Sequence, residues 1–195
     1  MGQYCTSFLS NINQFSFEVG DAIVNKKNLE PVFLCVGNSN VVGDLFGPYC
    51  GEILKNTYKV KNVFGDLNHN ITYKNLKTTY LKIKDNFKDN PLIIIDSALG
   101  SLSDVGNVKF LKYGCIPAYL NNNQIMGDFS IFGITNVAGI NNFLFLKTVK
   151  FKMVEQMASF CCLGIFESLN LLNRYANLKN NNFSLKSSKN YAYKI

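Results

Sequence analysis

The stretch Val32 to Pro48, VFLCVGNSNVVGDLFGP, decides how the chain is read. Val32 to Val36 form an unbroken apolar run that stops at Gly37. A polar loop punctuated by Gly43 and Gly47 follows, and it carries one carboxylate, Asp44, before Pro48. A short continuous apolar run bounded by turn residues marks a strand buried on both faces, and proline is favoured in the first turn of a helix. The stretch reads as buried strand, loop and helix entry. Pro91 to Gly100, PLIIIDSALG, repeats the first half of the arrangement, its apolar run ending directly in Asp96. In parallel α/β sheets the carboxyl ends of the strands line the ligand crevice. Asp44 and Asp96 are therefore predicted to face one cavity although they are distant in sequence.

Composition bounds what such a sheet can serve. The 195 residues, 47% of them hydrophobic, suffice for one domain with a sheet covered by helices and exclude wholesale disorder. The formal charge is +7, yet Arg174 is the one arginine among 20 basic residues. Phosphate and base recognition favour the planar arginine fork, so the charge is read as solvated lysines rather than a nucleic-acid surface. The six cysteines, at 5, 35, 50, 115, 161 and 162, lack CxxC spacing and read as reduced thiols of a cytoplasmic protein. No apolar stretch approaches the roughly 20 residues needed to cross a bilayer. His69 is the sole histidine and lies in an Asn-rich connection, DLNHN, which suits a surface residue. No metal or cofactor is expected, although two carboxylates in one crevice also suit a divalent cation.

Along the chain, residues 1–30 mix apolar and polar positions without one clear period and are read as a helix or irregular lead-in. A helix is predicted over Tyr49 to Asn56, a short strand over Tyr58 to Phe64, and a helix around Asn75 to Leu81. Residues 101–128 are broken by Gly106, Gly114, Pro117 and Gly127 into loops and short strands that pack over the crevice. Phe129 to Ile134 forms a further apolar strand that ends in Thr135 and Asn136. From Thr148 to Leu172 apolar residues recur at helical spacing around a broad face, which predicts a mostly buried helix. The Asn-rich residues 175–195 are read as a mobile tail, leaving an α/β domain over 31–174.

Two carboxylates in a partly dehydrated crevice cannot both ionise freely, so one holds a proton while the other stays charged. Such a pair activates water, the charged member taking a proton and the protonated member polarising a carbonyl. The plain alternative is that Asp44 caps the following helix and Asp96 binds loop amides. A Cys–His nucleophile is disfavoured because Cys35 falls inside a strand and Cys161 and Cys162 inside a helix. The glycines at 37, 43 and 47 match neither a Walker A loop nor a G-x-G-x-x-G turn.

The segments CVGNSNVVGDLFGP, GDLNHNITYKNL, PLIIIDSALGSLSDVG, MGDFSIFGITNVAG and KMVEQMASFCCLGI, in that order, resemble the YyaC-type sporulation protein family. That family is in turn similar to the spore germination protease and, more distantly, to the hydrogenase maturation proteases. The resemblance implies a three-layer, phosphorylase/hydrolase-like α/β fold with a mainly parallel or mixed sheet flanked by helices. It implies a peptidase of the sporulating cell or forespore, acting on a protein or peptide, with Asp44 and Asp96 matching the proposed catalytic pair of the germination protease. Gly37, Asn38, Ser97, Asp128 and Asn136 are expected around the substrate, and self-association into a homo-oligomer is open to such a chain. YyaC-type sequences read G-T-D-R-S-T-G-D where this chain has Gly37 to Asp44 as GNSNVVGD, so an acid and an Arg are missing. That departure favours a second reading, a non-catalytic sporulation factor that keeps the fold and binds a protein or peptide. Hydrogenase maturation proteases recognise nickel through a His after the second acidic strand, and no His follows Asp96 here.

Overall fold

The structure is a computed structural model and describes residues 2–5, 9–117, 124–139 and 148–189. Its elements in chain order are β1 (Gly2–Cys5), α1 (Leu9–Val24), β2 (Val32–Cys35), a 3₁₀ turn (Val42–Asp44), α2 (Phe46–Asn56), β3 (Val63–Phe64) and α3 (Leu76–Asn86). They continue with β4 (Leu92–Gly100), a second 3₁₀ turn (Leu102–Asp104), β5 (Asn107–Leu111), β6 (Phe129–Val137) and α4 (Phe151–Lys189). The strands form one six-stranded sheet in the order β1-β5-β6-β4-β2-β3. β6, β4, β2 and β3 run parallel. β5 is antiparallel to β6, and β1 to β5. The fold is thus α/β with a mixed sheet flanked by helices.

Alternation along the two central strands assigns their side chains to two cores. Phe33, Cys35, Ile93 and Ile95 face α1, α2 and α4, where they meet Phe15, Val19, Phe46, Leu54, Met157 and Cys161. Val32, Leu34, Leu92 and Ile94 face the other way, against Leu76, Tyr80 and Ile83 of α3 together with Ile71 and Met126. Both faces of these strands are covered, which is why each reads as an unbroken apolar run.

The order of the parallel strands places a crevice. From β2 the chain crosses through α2 to β3 on one side, then returns through α3 to β4 on the other side of β2. The connections at β2 and β4 diverge at their carboxyl ends, the arrangement in which open α/β sheets leave room for a ligand.

Several expected boundaries move. Residues 1–30 are no separate lead-in, because β1 completes the sheet edge and Phe15, Val19 and Ile23 of α1 belong to the main core. Their spacing with Ile12 is helical, but Phe17, 66% exposed, obscured it. β4 does not end before Asp96. It continues to Gly100, held by β6. The expected strand over Tyr58 to Phe64 shrinks to Val63–Phe64, because Tyr58 and Val60 are used to close α2. α4 runs past residue 174 to Lys189, so the part of the expected tail that is described is helical. Residues 190–195 lie outside the described residues. No helix among the described residues is long and apolar enough to cross a membrane.

Candidate functional site

β2 and β4 stay paired only as far as Cys35 and Ile95, after which the Val36 amide donates to the Ile95 carbonyl at 2.8 Å. Gly37 then turns the chain away with φ +142°. A Cβ there would lie 2.1 Å from the Asp44 carbonyl oxygen, so the loop closes on itself around a glycine. The Asn38 amide donates to that same Asp44 carbonyl at 3.1 Å. β4 meanwhile continues with β6 alone, and Asp96 is its first residue beyond the pairing with β2. The entry of α2 presses on the strand ends, since a Cβ on Gly47 would lie 2.0 Å from the Val36 carbonyl and 2.7 Å from that of Ile95.

The loop that carries Asp44 is tied down along its length. Gly37 donates to the Ile71 carbonyl at 2.8 Å. Ser39 accepts the Asn70 amide group on its hydroxyl at 2.9 Å, donates its backbone N–H to Asn70 Oδ1 at 2.9 Å and its hydroxyl to the Leu67 carbonyl at 3.2 Å. At the far end the Thr135 hydroxyl donates to the Gly43 carbonyl at 2.9 Å. Residues from β6 and from the connection after β3 thus hold one loop between them.

Asp44 and Asp96 are brought close enough that the charge of Asp44 raises the proton affinity of Asp96. Asp96 is half-buried. Burial, then the neighbouring Asp44, push its carboxyl well above the usual carboxylate range, with only the Ser97 amide opposing. Asp44 is pushed up to about 6 by burial, against a backbone hydrogen bond from Asn38 that favours its charged form. The pair therefore titrates unequally, with Asp44 the member that ionises first and Asp96 the one that holds its proton to higher pH. The Ser97 amide donates to Asp96 Oδ1 at 2.7 Å, which leaves Oδ2 free of that bond.

The other expected site residues separate into two groups. Gly37, Asn38 and Ser97 are part of the Asp44–Asp96 neighbourhood, and the Ser97 hydroxyl is buried without a protein hydrogen-bond partner. Asn136 lies at the same end of the sheet, opposite Leu99, with Nδ2 donating to Thr148 Oγ1 at 3.2 Å. Asp128 does not border the crevice. It precedes β6 at the opposite end, where it accepts the Leu92 amide at 2.9 Å and pairs with Lys26 at 2.8 Å. A Gly-Asp pair in front of a strand looks the same in sequence whichever end it decorates.

Two features were not singled out in the sequence. Thr135, expected at the end of its strand, lies inside β6 and is 1% exposed. Asp66, 7% exposed, pairs with Lys55 of α2 and accepts the Asn68 and His69 amides at 2.9 and 2.7 Å. Burial alone would raise its carboxyl, but Lys55 and these amides hold it down at about 2. His69 approaches Asp66 at 3.1 Å with its side chain 85% exposed, a surface position. Among the described residues no group of three or more His, Cys, Asp or Glu could hold a metal ion. A cavity of about 310 Å³ lies at the other end of the sheet, between Pro31, Tyr58, Asn62 and Phe166, away from both aspartates.

Known proteins resemble the chain at two levels. Its residues 8–163 match the family described as "Protein of unknown function (DUF1256)". The relative named "Uncharacterized protein YyaC" from Bacillus subtilis (strain 168) is 30% identical over 142 residues, which cover 69% of this chain and 67% of the relative. Among solved structures, similarity extends to the NiFe hydrogenase maturation protease HycI from Thermococcus kodakarensis KOD1, with a TM-score of 0.41 and 15% identity over 74% of this chain and 98% of that one. An uncharacterized protein from Wolinella succinogenes gives a TM-score of 0.38 and 15% identity over 78% of this chain and 98% of its own. The family match spans most of the chain and includes both Asp44 and Asp96, and the protein is accordingly a member of the DUF1256 family and a relative of Bacillus subtilis YyaC.

Proposed function

We propose that the protein is a peptide-bond hydrolase in which Asp44 and Asp96 activate water. One observation carries this reading: two half-buried carboxylates meet at the strand switch point and hold their protons with unequal affinity. The Asp44 carboxylate takes a proton from water as its oxygen attacks the peptide carbonyl. The protonated Asp96 donates through Oδ2 to the carbonyl oxygen as that oxygen gains charge. When the tetrahedral intermediate collapses, the proton held by Asp44 passes to the leaving nitrogen and Asp96 recovers its own, so the pair returns to its starting state. The Ser97 amide keeps Asp96 in one orientation through the cycle. In this reading the substrate is a protein or peptide of a sporulating cell, as the resemblance to sporulation proteins and the germination protease suggests.

The measurement compares the parent with an Asp44→Asn, Asp96→Asn double variant, each incubated with a pool of spore proteins across a pH series and read by peptide mass spectrometry. Cleavage by the parent should rise through about pH 6 as Asp44 ionises and fall again at higher pH as Asp96 loses its proton. The double variant should lose on the order of 10³-fold or more of the rate. Equal cleavage by both folded proteins would refute the aspartate mechanism.

The GNSNVVGD loop, without the acid and Arg of YyaC-type sequences, favours a second reading, a binding protein that keeps the fold. That reading gains if neither protein cleaves and both retain the same peptide on an affinity column.

A further inference from the structure

We propose that Thr135 is a positioning residue for Asp44, its hydroxyl holding the Gly43–Asp44 peptide against β6 so that the two aspartates keep a fixed relation. The proposal rests on the hydrolase reading for its catalytic consequence, while its structural content stands without it.

Thr135 is a polar residue 1% exposed in a strand interior. A buried hydroxyl is costly unless it is hydrogen-bonded, and here its partner is the Gly43 carbonyl at 2.9 Å. Two residues earlier on β6, Gly133 leaves space for the ring of Phe46, where a Cβ would approach within 2.6 Å. The 3₁₀ turn and the entry of α2 therefore settle onto the same side of β6, first by shape and then by the Thr135 hydrogen bond.

Among the described residues the loop has other anchors, none of them on β6. Gly37 and Ser39 tie its beginning to Leu67, Asn70 and Ile71. At its end, Asp44 donates to the Val41 carbonyl at 2.8 Å and Leu45 to that of Val42 at 3.3 Å within the turn, and the Asp44 carbonyl accepts the Asn38 amide at 3.1 Å. The first two shape the turn, and the Asn38 bond ties it back to the start of the loop. Thr135 joins it to the sheet, and to the strand next to the one that carries Asp96, since Ser97 pairs with Gly133 and Ala98 with Ile134. A short path thus runs from Asp44 through Gly43 to Thr135, which is the unpaired residue where the β6–β4 register shifts between Ala98 and Leu99, and from there along the adjoining ladder to Asp96. Reacting groups displaced by about 1 Å can lose on the order of 10²-fold in rate, so such a link bears on catalysis without touching substrate.

The test uses the full chain with Thr135→Val, which removes the hydroxyl, and Thr135→Ser, which keeps it. Carboxyl titrations are followed by ¹³C NMR. In the parent, Asp44 should titrate at about 6, a value set chiefly by burial. Loss of the tie lets the turn lift and water enter, so Thr135→Val should lower the Asp44 midpoint by about one pH unit, with Thr135→Ser close to the parent. Asp66 is the internal control and should titrate alike in all three proteins. If hydrolysis is found, Thr135→Val should lower kcat about tenfold with KM within twofold, and its acid limb should follow the Asp44 midpoint down. An unchanged Asp44 midpoint in a folded Thr135→Val protein overturns the proposal and leaves Thr135 as packing. Should that variant fail to fold, Thr135→Ala against Thr135→Ser decides the same point. A parent without peptidase activity removes the hydrolase reading, while the titrations still judge the positioning role.

Discussion

Asp44 and Asp66 are both acids in tight surroundings, and their surroundings act with opposite sign. Asp44 binds its proton more tightly in the native protein than in the unfolded chain, so its contribution to stability declines as pH rises from 3.8 through about 6. Asp44→Asn should therefore raise stability at pH 8 by on the order of 1–2 kcal/mol, after allowing for the solvent that still reaches the group. The gain should vanish below the unfolded-state value of 3.8, where both states are protonated. Thermal melts at pH 3.5 and pH 8 check this directly. Asp66 binds its proton less tightly when folded, so its contribution is present above 3.8 and is lost as pH falls through about 2. Asp66→Asn should destabilise the protein at pH 7 by about 1–3 kcal/mol, because it weakens the partner of Lys55 and the acceptor of two loop amides. Urea unfolding at neutral pH would show it. A residue that costs stability while one nearby supplies it is the pattern expected where a site is built into a scaffold.

At the scale of elements, helix ends decide how the layers meet the sheet. α2 closes with Tyr58 donating to the Ile53 carbonyl at 3.2 Å and Val60 to that of Leu54 at 2.9 Å, and Lys59 takes the left-handed position between them at φ 55°. Glycine usually fills that place because a Cβ is strained there. Lys59→Gly should stabilise the protein by about 0.5–1 kcal/mol, read as a higher urea midpoint with an unchanged slope. A lower midpoint would mean that the Lys59 side chain contributes more at the rim of the neighbouring cavity than its backbone costs. Helix α4 makes a different kind of contact, since a Cβ on Gly164 would lie 2.3 Å from the Phe15 ring. This close approach ties the last described helix to the first and draws residues near the amino terminus into the core.

For the whole molecule, that closure means the unit that folds is larger than the α/β domain expected over residues 31–174. A chain lacking residues 1–24 would lose β1 and α1 and bare the apolar face of α4 that Phe15, Val19 and Ile23 cover. It should show no cooperative thermal transition, measured by circular dichroism beside the full chain. A cooperative melt of the truncated protein would return residues 1–24 to the status of a lead-in. The same architecture explains why the candidate site is at one end of the sheet. Parallel strands put all their carboxyl ends together, and the reversal of direction around β2 opens the gap that Asp44 and Asp96 enter.

By itself the sequence determined the α/β class, the two central strands and the acids at their ends, because strands covered on both faces must be apolar along their length and their interruptions stand out. VFLCV and PLIIID carry that signal without reference to the rest of the chain. It could not assign ends or partners. Asp128 and Asp96 are both acids beside apolar strands, and only the register of β4 against β6 sends one to the amino end and the other to the crevice. Thr135 is an ordinary strand threonine until the turn at Gly43 comes to rest on it, and Asp66 is a loop acid until α2 brings Lys55 across. Such pairings depend on contacts between residues far apart in sequence, which local periodicity and propensity do not encode. Tertiary structure alone therefore decided which polar groups were brought together and what each of them is bonded to.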